Sequence, residues 1–320
     1  MSPNGLLLPD TALDANSLVC KWSTLSYHYL TCYFHKPDLC RKTITEFLHR
    51  TGIPLPGFDS SAFGDEIDRL AHAEVQTWNL GGVSPNRFEH CLTTGIDIAK
   101  MAYRHTPVET QVHIALWTAL CVCIDDLDAG VEVPERFHVG REQLHPLLDL
   151  LADNIRRMHE FFHPYGATII ATCTVQFVAC ALVDRETKAM NLHPSARGYP
   201  LYKRARNGLG EGYSYCIWDK THFPDVSSYI QSMPDLCSFY KEELVDEKNN
   251  FIHDRACVTS KDIEATLMAT LGDAVDAVNR GREILQGEER QAWESHVVGY
   301  VAFHFMTPRY RLEELFSTSG

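Results

Sequence analysis

Residues 115–130, ALWTALCVCIDDLDAG, constrain the fold of this chain more than any other stretch. They are apolar over a full helical length and end in three carboxylates, Asp125, Asp126 and Asp128. A run of that kind belongs in a core, and carboxylates at its end are costly unless something cationic meets them. Trp117, Thr118, Cys121 and Asp125 recur at helical spacing, so one face leads from aromatic and apolar side chains to a carboxylate. That arrangement suits a greasy pocket with a charged mouth. Two chemistries stay open at this point. One is a solvated helix end before the turn at Ala129-Gly130, and the other is a platform for Mg2+, which takes hard oxygen ligands.

With 320 residues, 45% of them hydrophobic, the chain has enough material for one large core. The net charge of -13 argues against a nucleic-acid surface. An acidic chain that binds an anion needs metal ions or a local basic cluster. The first residues, MSPNGLLLPD, lack a basic segment ahead of an apolar one and do not read as a signal peptide. No apolar stretch reads as long enough to cross a membrane. The eleven cysteines show neither a disulfide framework nor zinc spacing, which points to reduced thiols and a cytoplasmic location.

Apolar periodicity predicts helices over residues 18–51, with Pro37 as an interruption, and over 63–78, 87–103, 141–163, 167–184 and 291–305. Alternating β-branched runs are scarce. The expected fold is therefore all-α, with residues 1–320 forming one domain.

Three further patches carry charge. Within residues 199–218, Lys203, Arg204 and Arg206 precede Asn207-Gly208-Leu209-Gly210, where the paired glycines would bend or open a helix. This is either a basic helix face or an anion clamp. Residues 233–255 form a second acidic helix in which Asp235, Ser238 and Glu242 fall on one face, with Lys241 adjacent. A hydroxyl between two carboxylates suits a hard cation, although an exposed charged helix has the same composition. His253-Asp254 has no companion histidine motif and makes a poor metal site. Arg309, Tyr310 and Arg311 form the last patch.

With these pieces in order, the sequence resembles the fungal trichodiene synthase family of sesquiterpene cyclases, which are class I terpenoid synthases built as a helical bundle. The matching pieces are IDDLD at 124–128, YPLYKRARNGLG at 199–210, SFYKEEL at 238–244 and RYRLEEL at 309–315. The resemblance implies that Asp125 binds Mg2+, one of three such ions, and that Asp126 pairs with Arg309 when the site closes. It implies that Ser238 and Glu242 hold metal, and that Arg204, Lys241, Arg309 and Tyr310 grip a diphosphate. Glu186 matches an acidic position upstream of the basic loop. The implied substrate is a prenyl diphosphate, specifically farnesyl diphosphate, and a homodimer is compatible with the family. Trp117, Tyr213 and Trp293 are candidate walls for a carbocation pocket.

Two departures stand out. The third acid of the aspartate-rich motif comes one place early, at Asp128, with Ala129 in its usual place. Pro234 occupies the position of the metal motif's first Asn or Asp, and the chain is shorter than relatives near 230–238 by about a dozen residues, roughly three helical turns. Asp235 is the candidate substitute ligand. Two alternatives follow: a degenerate family member that has lost metal chemistry, and a prenyltransferase, which would ordinarily carry two aspartate-rich motifs.

Overall fold

The computed structural model describes residues 36–57, 65–126, 137, 143, 145–187, 190–224, 251–310 and 312–316. Among these residues the regular structure is helical throughout, as the periodicity predicts. The helices are α1 (Lys36–Thr51), α2 (Glu66–Val75), α3 (Pro85–Ala102), α4 (Val108–Asp126), α5 (Pro146–Arg156), α6 (Pro164–Thr187), α7 (Tyr199–Asn207), α8 (Gly210–Tyr215), α9 (Phe251–Thr259), α10 (Ile263–Ile284), α11 (Gly287–Met306) and α12 (Glu313–Phe316). Pro37 lies in the first turn of α1, where a missing N–H costs nothing, so within the described residues it opens a helix rather than interrupting one.

Local chemistry sets several starts. Ser84 caps α3 by accepting from the Arg87 amide at 3.3 Å, and Pro85 follows as its first residue. Asp262 caps α10 through the Ala265 amide at 2.7 Å. Gly81 and Gly82 close the stretch before α3 with φ of 62° and 86°, values that an L side chain rarely adopts.

α4 is the central helix, and nearly all of it from Thr110 to Cys123 is buried. By length and composition it could cross a bilayer, contrary to the sequence expectation. Its apolar surface is nevertheless spent on neighbouring helices, with 72% of the apolar window buried inside the protein. α3 is the other organising element. It packs most extensively on α4, and next on α11. Both crossings occur at glycines: a Cβ on Gly95 would lie 2.1 Å from the Ala115 carbonyl oxygen, and one on Gly299 only 1.9 Å from that of Met101. Two helices thus approach α3 backbone to backbone.

The basic segment departs from expectation at its break. α7 ends at Asn207 and α8 begins at Gly210, but the residue in the left-handed region is Leu209, at φ 52°. Leu209 is 4% exposed, so burial of its side chain offsets a backbone cost of about 1–2 kcal/mol. Gly208 serves by proximity instead, because a Cβ there would sit 3.1 Å from the Arg204 carbonyl and 3.2 Å from its guanidinium.

Candidate functional site

Asp125 and Asp126 are exposed at the carboxyl end of α4. Cations are favoured at that end by the helix dipole as well as by the carboxylates themselves. Arg309 supplies one: its two terminal nitrogens donate to the two oxygens of Asp126 at 3.1 and 3.2 Å. This fork-on-fork pairing, together with the charges of Tyr310 and Asp125, raises the Arg309 pKa. Arg87 at the start of α3 donates to the main-chain carbonyl of Asp126. Two guanidinium groups therefore hold the end of α4, Arg309 through the Asp126 carboxylate and Arg87 through its carbonyl, and Asp125 lies close enough to raise the Arg309 pKa further.

Behind the carboxylates lies an aromatic layer. Trp117 is fully buried and donates through its indole N–H to Thr174 on α6 at 3.0 Å. Tyr213 on α8 sits 4.8 Å from it, ring to ring, and donates to Thr118 at 3.1 Å. Burial pushes the Tyr213 phenol well above its ordinary pKa, and nearby Cys121 and Tyr310 push in the same direction. Tyr310 packs on His304 and Phe303, at ring separations of 4.3 and 5.3 Å. The face predicted from Thr118 through Cys121 to Asp125 thus runs along one wall of this layer. Trp293 does not belong to it; it packs on Gly281 beside the turn from α10 to α11, as core.

The basic segment divides its cations. Lys203 is buried, Arg204 folds over Gly208, and Arg206 lies 3.7 Å above the exposed ring of Tyr202. Arg206 is thereby engaged on its own helix rather than sharing a clamp. Glu186 is exposed near the end of α6, and the Tyr199 hydroxyl, 3.3 Å from that of Thr187, joins this end to the start of α7. Asp128, Asp235, Ser238, Lys241 and Glu242 lie outside the described residues, as do Pro234 and the shortened region near 230–238. Among the described residues no three His, Cys, Asp or Glu side chains cluster as a metal site, and of the expected Mg2+ ligands Asp125 and Glu186 are described, Asp125 at the end of α4 beside Arg309 and Glu186 near the end of α6. His253-Asp254 joins no such cluster.

An open surface cleft of about 650 Å³ lies elsewhere, lined by Arg104, Arg290, Glu294 and neighbours. It is at the opposite end of α3 from Arg87, about 25 Å away at 1.5 Å per residue, and it shares no residue with the carboxylate cluster.

The profile of the trichodiene synthase (TRI5) family matches residues 70–320, a span holding the carboxylates, the basic segment and Arg309. The chain belongs to the trichodiene synthase family. Its relatives include terpene synthase 29 of Postia placenta, 38% identical over 241 residues that cover 70% of this chain and 71% of the relative. Monoterpene synthase 25 of the same fungus is 32% identical over 295 residues, covering 87% of each. Longiborneol synthase CLM1 of Gibberella zeae is 32% identical over 246 residues, covering 70% of this chain and 73% of the relative. Family membership agrees with the helical architecture and places Asp125 and Arg309 inside the shared region. The family resemblance implied the Asp126–Arg309 pair, but sequence reasoning missed Arg87, whose only signal is its charge at the start of the helix predicted over 87–103.

Proposed function

We propose that this protein is a terpene cyclase that ionises farnesyl diphosphate with Mg2+ and cyclises the resulting carbocation. The observation that carries the reading is the adjacency of a carboxylate–guanidinium mouth to a buried aromatic layer on a single helix, α4. A diphosphate needs cations where its charge develops, and a carbocation needs a dry, π-rich chamber.

When bound, Mg2+ would draw charge from the departing diphosphate oxygens, with Asp125, Ser238 and Glu242 as its ligands and Asp235, Asp128 and Glu186 as further candidates. Arg309 offers fixed, permanently charged donors beside Asp125, and Arg204, Lys241 and Tyr310 complete the proposed diphosphate grip. Trp117 and Tyr213, buried ring against ring, are the candidate wall residues that would exclude water and attract positive charge. Burial keeps the Tyr213 hydroxyl neutral, and its hydrogen bond to Thr118 fixes the orientation of the ring.

A second substrate is favoured by one observation. The relative that matches the greatest share of this chain among those described above is named a monoterpene synthase, which makes geranyl diphosphate the competing ten-carbon substrate. The purified chain is therefore incubated with farnesyl and with geranyl diphosphate, with Mg2+ or with EDTA, and volatile products and free diphosphate are measured. A Mg2+-dependent cyclic sesquiterpene from farnesyl diphosphate bears out the reading. Products from geranyl diphosphate alone transfer it to the shorter substrate. Condensed, longer prenyl diphosphates would indicate a prenyltransferase, and absence of diphosphate release from either substrate would indicate a degenerate member.

A further inference from the structure

The Asp126–Arg309 pair is anchored from a residue that touches neither partner. Thr307 ends α11, two positions before Arg309, and is 3% exposed. Its hydroxyl donates to a carboxylate oxygen of Asp97 on α3 at 2.9 Å. Thr307 is followed by Pro308, whose ring fixes φ, and the Tyr310 amide folds back to the Thr307 carbonyl at 3.1 Å. The turn bearing Arg309 therefore has little internal freedom, and its direction is set at Thr307.

Asp97 occupies an expensive place. It is half-buried in the seam between α3 and α11, and burial raises its carboxyl pKa while the Thr307 hydrogen bond opposes that rise. An apolar side chain would fill the seam at lower cost. What a carboxylate adds is a directional acceptor, and Thr307 is the donor it holds. The seam itself is rigid, because Gly299 brings α11 onto the Met101 backbone two turns from Thr307. On the opposite side, Arg87 of the same helix holds the Asp126 carbonyl. α3 thus grips both halves of the pair, one through Arg87 and the other through Asp97.

We infer that Asp97 is a positioning residue, which through the Thr307 hydroxyl and Pro308 aims Arg309 at Asp126 and at the diphosphate. The part concerning diphosphate rests on the proposed cyclase reading. The part concerning the turn does not.

The full chain is compared with Thr307→Val, which keeps the shape and removes the donor, with Thr307→Ser, which keeps the donor, and with Asp97→Asn. Two readouts are taken. The first is amide hydrogen exchange of the peptide spanning 306–316, which needs no substrate. Thr307→Val is expected to exchange faster there, and Thr307→Ser is expected to retain the native rate. The second is kcat and KM for diphosphate release. Thr307→Val and Asp97→Asn are expected to lower kcat/KM on the order of 10-fold, as misplacement of a binding group does. The loss should not add to that of Arg309→Lys, because both changes disable the same guanidinium. A native exchange rate in Thr307→Val overturns the inference whatever the activity. Faster exchange with unaltered kinetics, or losses fully additive with Arg309→Lys, overturns the role in catalysis. If the native chain releases no diphosphate, the cyclase reading falls, and the exchange comparison still decides whether the hydroxyl holds the turn.

Discussion

Arg309 reaches across 183 positions of sequence to place its two terminal nitrogens on the two carboxylate oxygens of Asp126. Both side chains remain partly open to solvent, at 43% and 38% exposure, so the pair contributes little to stability, about 1 kcal/mol or less. Its geometry matters more than its strength. Arg309→Lys keeps the charge and loses the fork, and is expected to slow diphosphate release on the order of 10- to 100-fold while leaving the urea midpoint nearly unchanged. Parallel turnover and urea titrations check this; a large midpoint shift with unimpaired turnover would contradict it.

Asp125 differs from its neighbour in its expected response. Asp125→Ala removes a hard oxygen donor from the mouth of the site without breaking the Asp126–Arg309 pair. Turnover should fall on the order of 100-fold, since the charge of a bound ion is worth several kcal/mol, and more Mg2+ should be needed for half-maximal rate. Chelation by EDTA should abolish turnover in the native chain and recover on adding Mg2+. Rate against free Mg2+ concentration, in both proteins, is the measurement.

The glycines at the two α3 seams make a contrast with a third. Gly95→Ala and Gly299→Ala drive a methyl into main-chain carbonyls and should each destabilise by about 1–3 kcal/mol or more. Gly272 in α10 has nothing within 4 Å of its Cβ position, so Gly272→Ala should stabilise by about 0.5–1 kcal/mol. Chemical denaturation of the three variants tests the signs together.

Acid should destabilise the fold through buried histidines. His296 packs against Tyr103 and Tyr300, at ring separations of 4.9 and 5.7 Å, and burial lowers its pKa to about 3. His113, stacked on Phe161 at 4.5 Å and bonded to the Asn154 carbonyl, is lowered by burial to about 4. Both are neutral when folded. Below the unfolded value of about 6.5 the unfolded chain takes up protons that the folded chain refuses, so stability is full above that pH and declines toward pH 4. Each histidine contributes at most about 1.4 kcal/mol per pH unit in that window. Urea titrations at pH 7, 6 and 5 should show the decline, and His113→Gln should flatten it.

Much of the helical structure was legible because its signals are local, although α10 (Ile263–Ile284) was not among the stretches read as helical. The apolar run of α4 and the periodic stretches at 63–78, 87–103 and 291–305 each act over a few residues, and the structure has helices at Glu66–Val75, Pro85–Ala102 and Gly287–Met306. The reading of the break at 207–210 put the strained backbone on glycine by the same local logic. Leu209 takes the left-handed conformation instead because its side chain gains burial that no neighbour in sequence supplies.

The pattern of carboxylates after an apolar helix, and the order of the acidic and basic segments along the chain, were determined by the sequence alone. The resemblance also implied the Asp126–Arg309 pair, and the structure has it; where the other cations went was decided only in three dimensions. Arg206, as basic as Arg204, ended on Tyr202, while Arg87, read only as the first residue of a predicted helix, ended on the Asp126 carbonyl. Asp97 gained its partner because Gly299 lets α11 close onto α3. Spacing along a chain fixes which side chains share a face. Contacts between faces depend on how closely two backbones can approach, and that distance is set by packing across hundreds of residues rather than by any window within them.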